Sequence, residues 1–321
     1  MAQTFSLSAA ARTLSLRSIF VAGEEANYVT FCKLRWPQTN GEASCPFCGS
    51  LDPYAIKARR RFECSGCGRQ FSVTSGTIFH SRKKSFTDLL AALCIVLNAA
   101  KGVSALQLAR DLKCQHKSAW ILAHKIRQAL AAEIADAKLS GEVEIDGMYT
   151  GGKIRPANLK ENRIDRRLAP AQTGARRVVI ALRARKGRTR TFVGKHEPET
   201  VEIVRRVVLR GSTIIADEAA HWDVLPAHFS TQRINHSIAY SLDGVSTNQV
   251  ESFFSRLRRM IEGQHHYVSP QYLHQYAAHA AWLEDHRKLD NGAMVQRGLG
   301  LSLNHPKSAN WCGYWQRSAK R

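Results

Sequence analysis

The feature that most constrains this chain is a pair of two-cysteine knuckles, Cys45-Pro-Phe-Cys48-Gly and Cys64-Ser-Gly-Cys67-Gly, with fifteen residues between them. Four thiolates at this spacing can surround one Zn2+ tetrahedrally, and the glycine after each pair permits the tight turn that brings backbone amides towards sulfur. The knuckles predict a zinc ribbon over 41–80, with Arg59, Arg60 and Arg61 exposed between them. Such a metal stabilises a small module whether or not the ribbon also touches a partner. The remaining cysteines, Cys32, Cys94, Cys114 and Cys312, show no paired spacing. They read as buried or idle thiols, and no disulfide framework is implied.

A ribbon accounts for little of a 321-residue chain that is 44% hydrophobic, enough to give two or three modules cores of their own. Forty-seven Lys and Arg against 26 Asp and Glu give a net charge of +21, a field that draws polyanions and makes association salt-sensitive. Nucleic acid is the leading partner. The longest apolar run, Leu89 to Ala100, is too short to span a bilayer and is broken by Asn98, so a membrane is not expected. Arg12, Arg17 and several Ser near the start loosely resemble a transit peptide, but no continuous apolar segment precedes a cleavage signal, and the start reads as ordinary amphipathic chain.

Residues 1–40 read as a partly helical segment ending at Trp36-Pro37. Over 84–135 the period is helical. Phe86, Leu89, Leu90, Leu93 and Leu97 recur at spacings of three and four and predict a support helix. Ser104 then caps a short helix through Leu112, with Leu106, Ala109 and Leu112 inward. After a three-residue turn, a helix over His116 to Ala132 buries Ala119, Leu122, Ile126 and Leu130 and offers His116, Lys117, His124, Lys125 and Arg127 elsewhere. Helix, short turn and helix fit a helix-turn-helix, whose second helix enters the DNA major groove; a hairpin that merely joins two modules has the same pattern.

After Gly141 the period becomes two, with Glu142, Glu144 and Asp146 on one face of a strand and Val143 and Ile145 on the other. Arg177 to Ala184 and Thr189 to Val193 continue an antiparallel meander. A helix over Glu199 to Arg210, a short buried strand over Thr213 to Ala216, and helices over Ser246 to Glu262 and residues 269–288 complete a mixed sheet with helices over 140–290. Residues 291–321 show no clear period and read as a tail. The fold class is α+β multidomain.

Three acids stand out by context. Asp146 lies in the first strand, Asp217 closes the buried strand Thr-Ile-Ile-Ala-Asp, where an unpaired carboxylate is costly, and Glu251 sits on the later helix. On that helix Asn248, Glu251, Ser255 and Arg258 share one side, beside an apolar stripe of Val250, Phe253, Phe254, Leu257 and Ile261. Carboxylates from two strands and a helix make an oxygen cage suited to Mg2+ or Mn2+, which activate one oxygen and stabilise another when a phosphodiester is displaced in line. A lone Asp or Glu is far more often a solvated surface charge, so context must decide.

These residues resemble a known family. Val-Glu-Ile-Asp146-Gly-Met-Tyr-Thr-Gly-Gly-Lys, Ile-Ile-Ala-Asp217, Ile-Asn-His236-Ser with Tyr240, and Ser-Thr-Asn248-Gln-Val-Glu251-Ser-Phe-Phe-Ser are similar to bacterial insertion-sequence transposases of the ISXO type, related to eukaryotic Merlin elements. The Trp36-Pro37 segment, the knuckles and the helix-turn-helix extend the resemblance over roughly residues 25–288. The resemblance implies an RNase H-like catalytic domain, recognition of terminal inverted repeats and of target DNA, metal-dependent strand cleavage and transfer with Mg2+ or Mn2+, a homo-oligomer in the synaptic complex, and a cytoplasmic, nucleoid-associated protein. By resemblance Asp146 and Asp217 are the first two acids. The third position varies in the family between Glu, Asn and His, so Glu251, Asn248 and His236 all remain open, with Glu251 preferred. Where the family tends to carry Lys seven residues after that Glu, this chain has Arg258, which keeps the charge and grips phosphate with two donors but lacks a compact ammonium.

Between Lys153 and Arg188 lie twelve Lys or Arg and only two acids, Glu161 and Asp165. Directly after the first strand of the acid set, such a stretch reads as a clamp on the DNA backbone, with Arg163, Arg166 and Arg167 as its contacts. Two further readings compete with an active transposase: a DNA-binding protein descended from one and no longer catalytic, and a stand-alone RNase H-like repair nuclease, which would not need two separate DNA-reading modules.

Overall fold

A computed structural model describes residues 5, 7–152, 154–165, 173–185, 187–196, 201–219, 222–235, 241 and 244–312. The chain forms two compact units, one from residues 1–133 with 286–321 and the other from residues 134–285.

In the first unit, helix α1 (Leu16–Arg35) opens on a capping box in which Ser15 Oγ accepts from the Ser18 amide, and it is broken at Gly23, where φ is +77°. It stops at Trp36-Pro37, as the proline requires. Strands β1 (Pro53–Ile56), β2 (Arg61–Cys64) and β3 (Gln70–Phe71) form an antiparallel sheet in the order β1-β2-β3. This ribbon is too small for much of a core of its own. Phe62 stacks on Phe71, and Trp36 from the end of α1 meets both rings edge-on.

Helix α2 (Phe86–Asn98) starts at Ser85, whose side chain accepts from the Asp88 amide. The expected stripe is buried, but so are Ala91, Ala92, Cys94 and Val96 on the other side. A helix apolar all round must be covered all round. Helix α3 (Ala105–Asp111) is capped by Ser104 as expected, and α4 (His116–Ala135) follows the turn through Lys113, whose φ is +45°.

The second unit is built on a five-stranded sheet of β4 (Glu142–Thr150), β5 (Arg177–Ala184), β6 (Thr189–Gly194), β7 (Thr213–Asp217) and β8 (Ser230–Ile234), in the order β6-β5-β4-β7-β8. The β4, β5 and β6 strands form the expected antiparallel meander; β7 runs parallel to β4, and β8 parallel to β7. One face is the core. Val143, Ile145, Val178, Ile180, Leu182, Ile214 and Ala216 pack there with Val204 and Val207 of helix α5 (Val201–Val207). The opposite face, carrying the alternating acids, receives helix α6 (Asn248–Arg258), whose Val250, Phe253, Phe254 and Leu257 are fully buried. A π-helical turn over Arg259–His265 continues α6, and α7 (Pro270–His286) follows. A mixed sheet in this order with helices on both faces is the RNase H-like arrangement.

Residues 291–321 were expected as a tail without period. Instead helix α8 (Asn291–Asn304), capped by Asp290, returns to the first unit and packs against α1 and α2. Its buried positions Met294, Val295, Leu299 and Leu303 do have helical spacing, but Gly298 and Ser302 complete the stripe and hide it. A Cβ at Gly298 would stand 2.4 Å from Leu97 Cδ1, so close packing of α8 on α2 uses the missing side chain.

Candidate metal centre and active site

The four knuckle cysteines come together. Cys45 and Cys48 precede β1, Cys64 ends β2 and Cys67 lies in the turn after it. Their ligand atoms all lie within 4.8 Å of one another, with Cys45 Sγ 3.7 Å from Cys67 Sγ and Cys48 Sγ 3.4 Å from Cys64 Sγ. A tetrahedron with Zn–S bonds of about 2.3 Å has S···S edges of about 3.8 Å. The donor set therefore fits a structural Zn2+. Gly49 and Gly68, one after each pair, adopt φ of +78° and +67°, and their amides donate to Cys45 O and Cys64 O at 2.9 Å. Desolvation pushes the Cys64 thiol up, but the amides of Cys67 and Gly66 and the thiols of Cys48 and Cys45 outweigh it and hold Cys64 low, while the Cys48 thiol, against the lowering effect of the Ser50 backbone, is pushed up by Cys64: the two sulfurs share a proton that a metal would displace.

The arginines between the knuckles separate. Arg59 and Arg61 are exposed as expected, whereas Arg60 turns back in a left-handed conformation to pair with Glu24 at 3.2 Å and Glu25 at 2.8 Å and to lie over the Tyr28 ring. Three consecutive arginines look alike in a sequence; only the turn geometry decides which faces inward.

On α4, His116 and Lys117 are exposed and Lys125 is half-buried. Two residues expected on the outward side are not there: His124 and Arg127 are fully buried, and Trp311 stacks on the His124 ring. Leu106, expected inward, is exposed, and Leu108 takes its place in the core of α3. A cleft of about 560 Å3 in this unit is lined by Lys117 and Lys125 of α4 together with Arg82, Lys83 and Lys84 from the segment before α2. The basic run 82–84 went unremarked in the sequence, although three adjacent cations are a visible signal.

In the second unit Asp146 lies mid-way along β4, Asp217 ends β7 and Glu251 sits in the first turn of α6; all three are half-buried. The β4–β7 ladder pairs Glu144 with Ile215, and each aspartate lies two residues further along its strand, hence on the same face. That face is the one α6 covers. Asp146 accepts from the Gly147 amide at 2.7 Å, Asp217 from the Ala219 amide at 3.2 Å, and Glu251 from Thr247 Oγ1 at 3.1 Å. Among the described residues the four cysteines, with all ligand atoms within 4.8 Å, are the one group of three or more His, Cys, Asp or Glu side chains placed to hold a metal ion; the three acids do not form such a group. Asn248 and Arg258 are exposed on α6, while His236 and Tyr240 lie outside the described residues.

The basic stretch 153–188 is not one loop. Arg183 and Arg185 belong to β5 and its end. Arg183 is buried and pairs with Glu284 at 3.0 Å, and Arg185 holds Glu142 and Glu144. Arg163 is exposed and donates to the carbonyls of Ala157 and Asn158; Lys153, Arg166 and Arg167 lie outside the described residues. Glu144, fully buried beside Asp146, is the member of this region that sequence alternation alone did not distinguish from its neighbours.

A zinc-binding ribbon and an RNase H-like unit bearing acids on one face define a protein of the nucleic-acid-processing class. Residues 138–285 match the ISXO2-like transposase domain, nearly the whole of the second unit, and residues 22–70 match the transposase zinc-ribbon domain. The chain belongs to the insertion-sequence transposases. No curated protein matches it. Among the described residues no helix is long and apolar enough to cross a membrane.

Proposed function

We propose that this transposase is an active enzyme that binds the terminal inverted repeats of its element and cleaves and transfers DNA strands at Asp146, Asp217 and Glu251. What supports this reading is the β4–β7 register: both aspartates lie two residues beyond the Glu144–Ile215 pair, on the face packed by the helix that carries Glu251, within the matched transposase domain. An all-oxygen set of this kind fits Mg2+ or Mn2+. When bound, such ions supply Lewis-acid activation of the attacking oxygen and stabilisation of the leaving one.

The chain's own side chains carry the rest of the work. Half-burial of the three acids limits competing water around the scissile phosphate, and Arg258, two turns after Glu251 on α6, offers a bidentate grip on a backbone phosphate. Lys117 and Lys125 of α4, with Arg82, Lys83 and Lys84, form the cationic wall that holds the duplex, and His116 begins the helix that reads it. Arg163, Arg166 and Arg167 add backbone contacts. The enzyme acts on element ends and target DNA at the nucleoid, as a homo-oligomer in the synaptic complex.

The test is incubation of the zinc-loaded chain with labelled element ends and Mg2+ or Mn2+. Cleaved or joined strands are expected from the natural chain and none from Asp217→Ala, with end binding retained by both. Cutting by the variant would overturn the assignment of the acids. End binding without cutting by the natural chain would mean a DNA-binding derivative instead.

A further inference from the structure

The acid set sits on two kinds of element that share no continuous backbone hydrogen bonding: strands bearing Asp146 and Asp217, and a helix bearing Glu251. Something must fix the helix against the sheet, because a ligand set displaced by about 1 Å loses much of its effect. Glu144 is built for this task. It lies two residues before Asp146 on the same face of β4, and it is fully buried. Its Oε2 accepts from the amides of Gln249 and Val250, at 2.9 and 3.0 Å, so it closes the N-terminus of α6 from another element. Its Oε1 accepts from Arg185 Nε at 3.2 Å, and the same guanidinium donates to Gly244 O at 3.0 Å and Ser246 O at 3.2 Å, in the segment leading into α6.

Burial of a carboxylate is tolerated here because amide donors at a helix N-terminus and an arginine compensate it. The consequence is geometric. Glu251 follows Val250 directly, so the backbone group next to it is tied to a side chain rooted two residues from Asp146. Gln249 adds a second tie, its Oε1 accepting from Arg183 Nε at 3.3 Å.

We propose that Glu144 is a positioning residue, a buried strut that sets the distance between Glu251 and Asp146 and so tunes metal affinity at the acid set. The inference rests on the proposed role of those acids. It makes reach, not charge, the property that matters, since both carboxylate oxygens are already engaged within the protein. Replacement by Gln keeps the reach and an acceptor oxygen for the Gln249 and Val250 amides, while removing the charge and the second acceptor that faces Arg185. Replacement by Asp keeps the charge but shortens the arm by one methylene, and Ala removes both.

The experiment measures Mn2+ binding to the full zinc-loaded chain by electron paramagnetic resonance, for the natural protein, Glu144→Gln, Glu144→Asp, Glu144→Ala and Asp217→Ala. Thermal melting on the same samples sets a working temperature at which every variant is folded; Glu144→Gln, equal in size to the native residue, remains informative even if Glu144→Ala fails to fold. The expected order is Glu144→Gln within about threefold of the natural chain, with Glu144→Asp weaker by about tenfold, the scale on which residues behind metal ligands act. Tight binding by Glu144→Asp with weak binding by Glu144→Gln would mean that charge matters and would overturn the proposal, as would equal affinities across the Glu144 series. Asp217→Ala separates the two levels. If it binds Mn2+ like the natural chain, the acid set itself has been misassigned; if it loses binding while the Glu144 variants do not, the positioning role alone falls.

Discussion

Asp285 offers a quantitative test of how the second unit is held together. It lies at the end of α7, with its side chain nearly buried, and both carboxylate oxygens accept from the Thr189 amide at 3.0 Å. Burial raises its pKa from 3.8 to about 6, against the lowering effects of the Thr189 hydrogen bonds and the charges of Arg183 and Arg188. Between those two pH values the folded chain holds a proton that the unfolded chain has released. The contribution of this group to stability is therefore fully present below about 4 and is lost as pH rises through about 6. A rise from 3.8 to about 6, at about 1.4 kcal/mol per pH unit, amounts to about 3 kcal/mol lost by pH 7.5. Asp285→Asn keeps an oxygen for the Thr189 amide and has no charge to bury. It is expected to match the natural chain near pH 4 and to exceed it at pH 7.5 by up to about 3 kcal/mol. Hydrogen exchange of peptides from the β5–β6 hairpin, followed across that range, reads the opening free energy of this unit without assuming that the whole chain unfolds in one step. A variant with the same pH slope as the natural chain, or one less stable at pH 7.5, would refute the argument.

Three further outcomes are expected. Cys64→Ser should cost the chain its bound zinc, read by metal analysis of purified protein, and should melt the ribbon, because a structural zinc site contributes folding energy directly. Gly298→Ala places a methyl 2.4 Å from Leu97 Cδ1 and should destabilise the first unit by about 1–3 kcal/mol, with Leu97→Ala in the same chain recovering part of the loss; thermal melts of the two single variants and the double variant measure that coupling. Lys117→Ala should lower affinity for element ends more than for random duplex in a binding titration, and equal losses on both would reduce the residue to a backbone contact.

Much of this architecture was legible in the residues, for reasons that differ from element to element. The ribbon could be read because metal coordination fixes residue type and spacing together. Strands β4 to β6 could be read because one buried face imposes a period of two, and α6 because its apolar stripe and polar side are cleanly divided. The burial of His124 was not legible, since Trp311, almost two hundred residues away, covers its ring, and tertiary cover leaves no mark on local periodicity. Among the described residues strand β8 pairs with β7 alone, and Ser230, Thr231, Gln232 and Arg233 are all polar, so it carries no apolar signal. Glu144 looked like one more acid in an alternating strand. Its distinct role arises from the helix N-terminus brought to it by folding, which no strand-level pattern encodes.

The return of α8 to α1 and α2 makes the sheet unit an insertion within the fold that precedes it. A ribosome making this chain releases the ribbon and its helices first, yet their last packing partner emerges only after residues 134–285 have been synthesised. The front unit must wait with the apolar surfaces of Leu93 and Leu97 incompletely covered, and a message cut short near its 3′ end would leave that unit, not the sheet, as the part unable to finish folding.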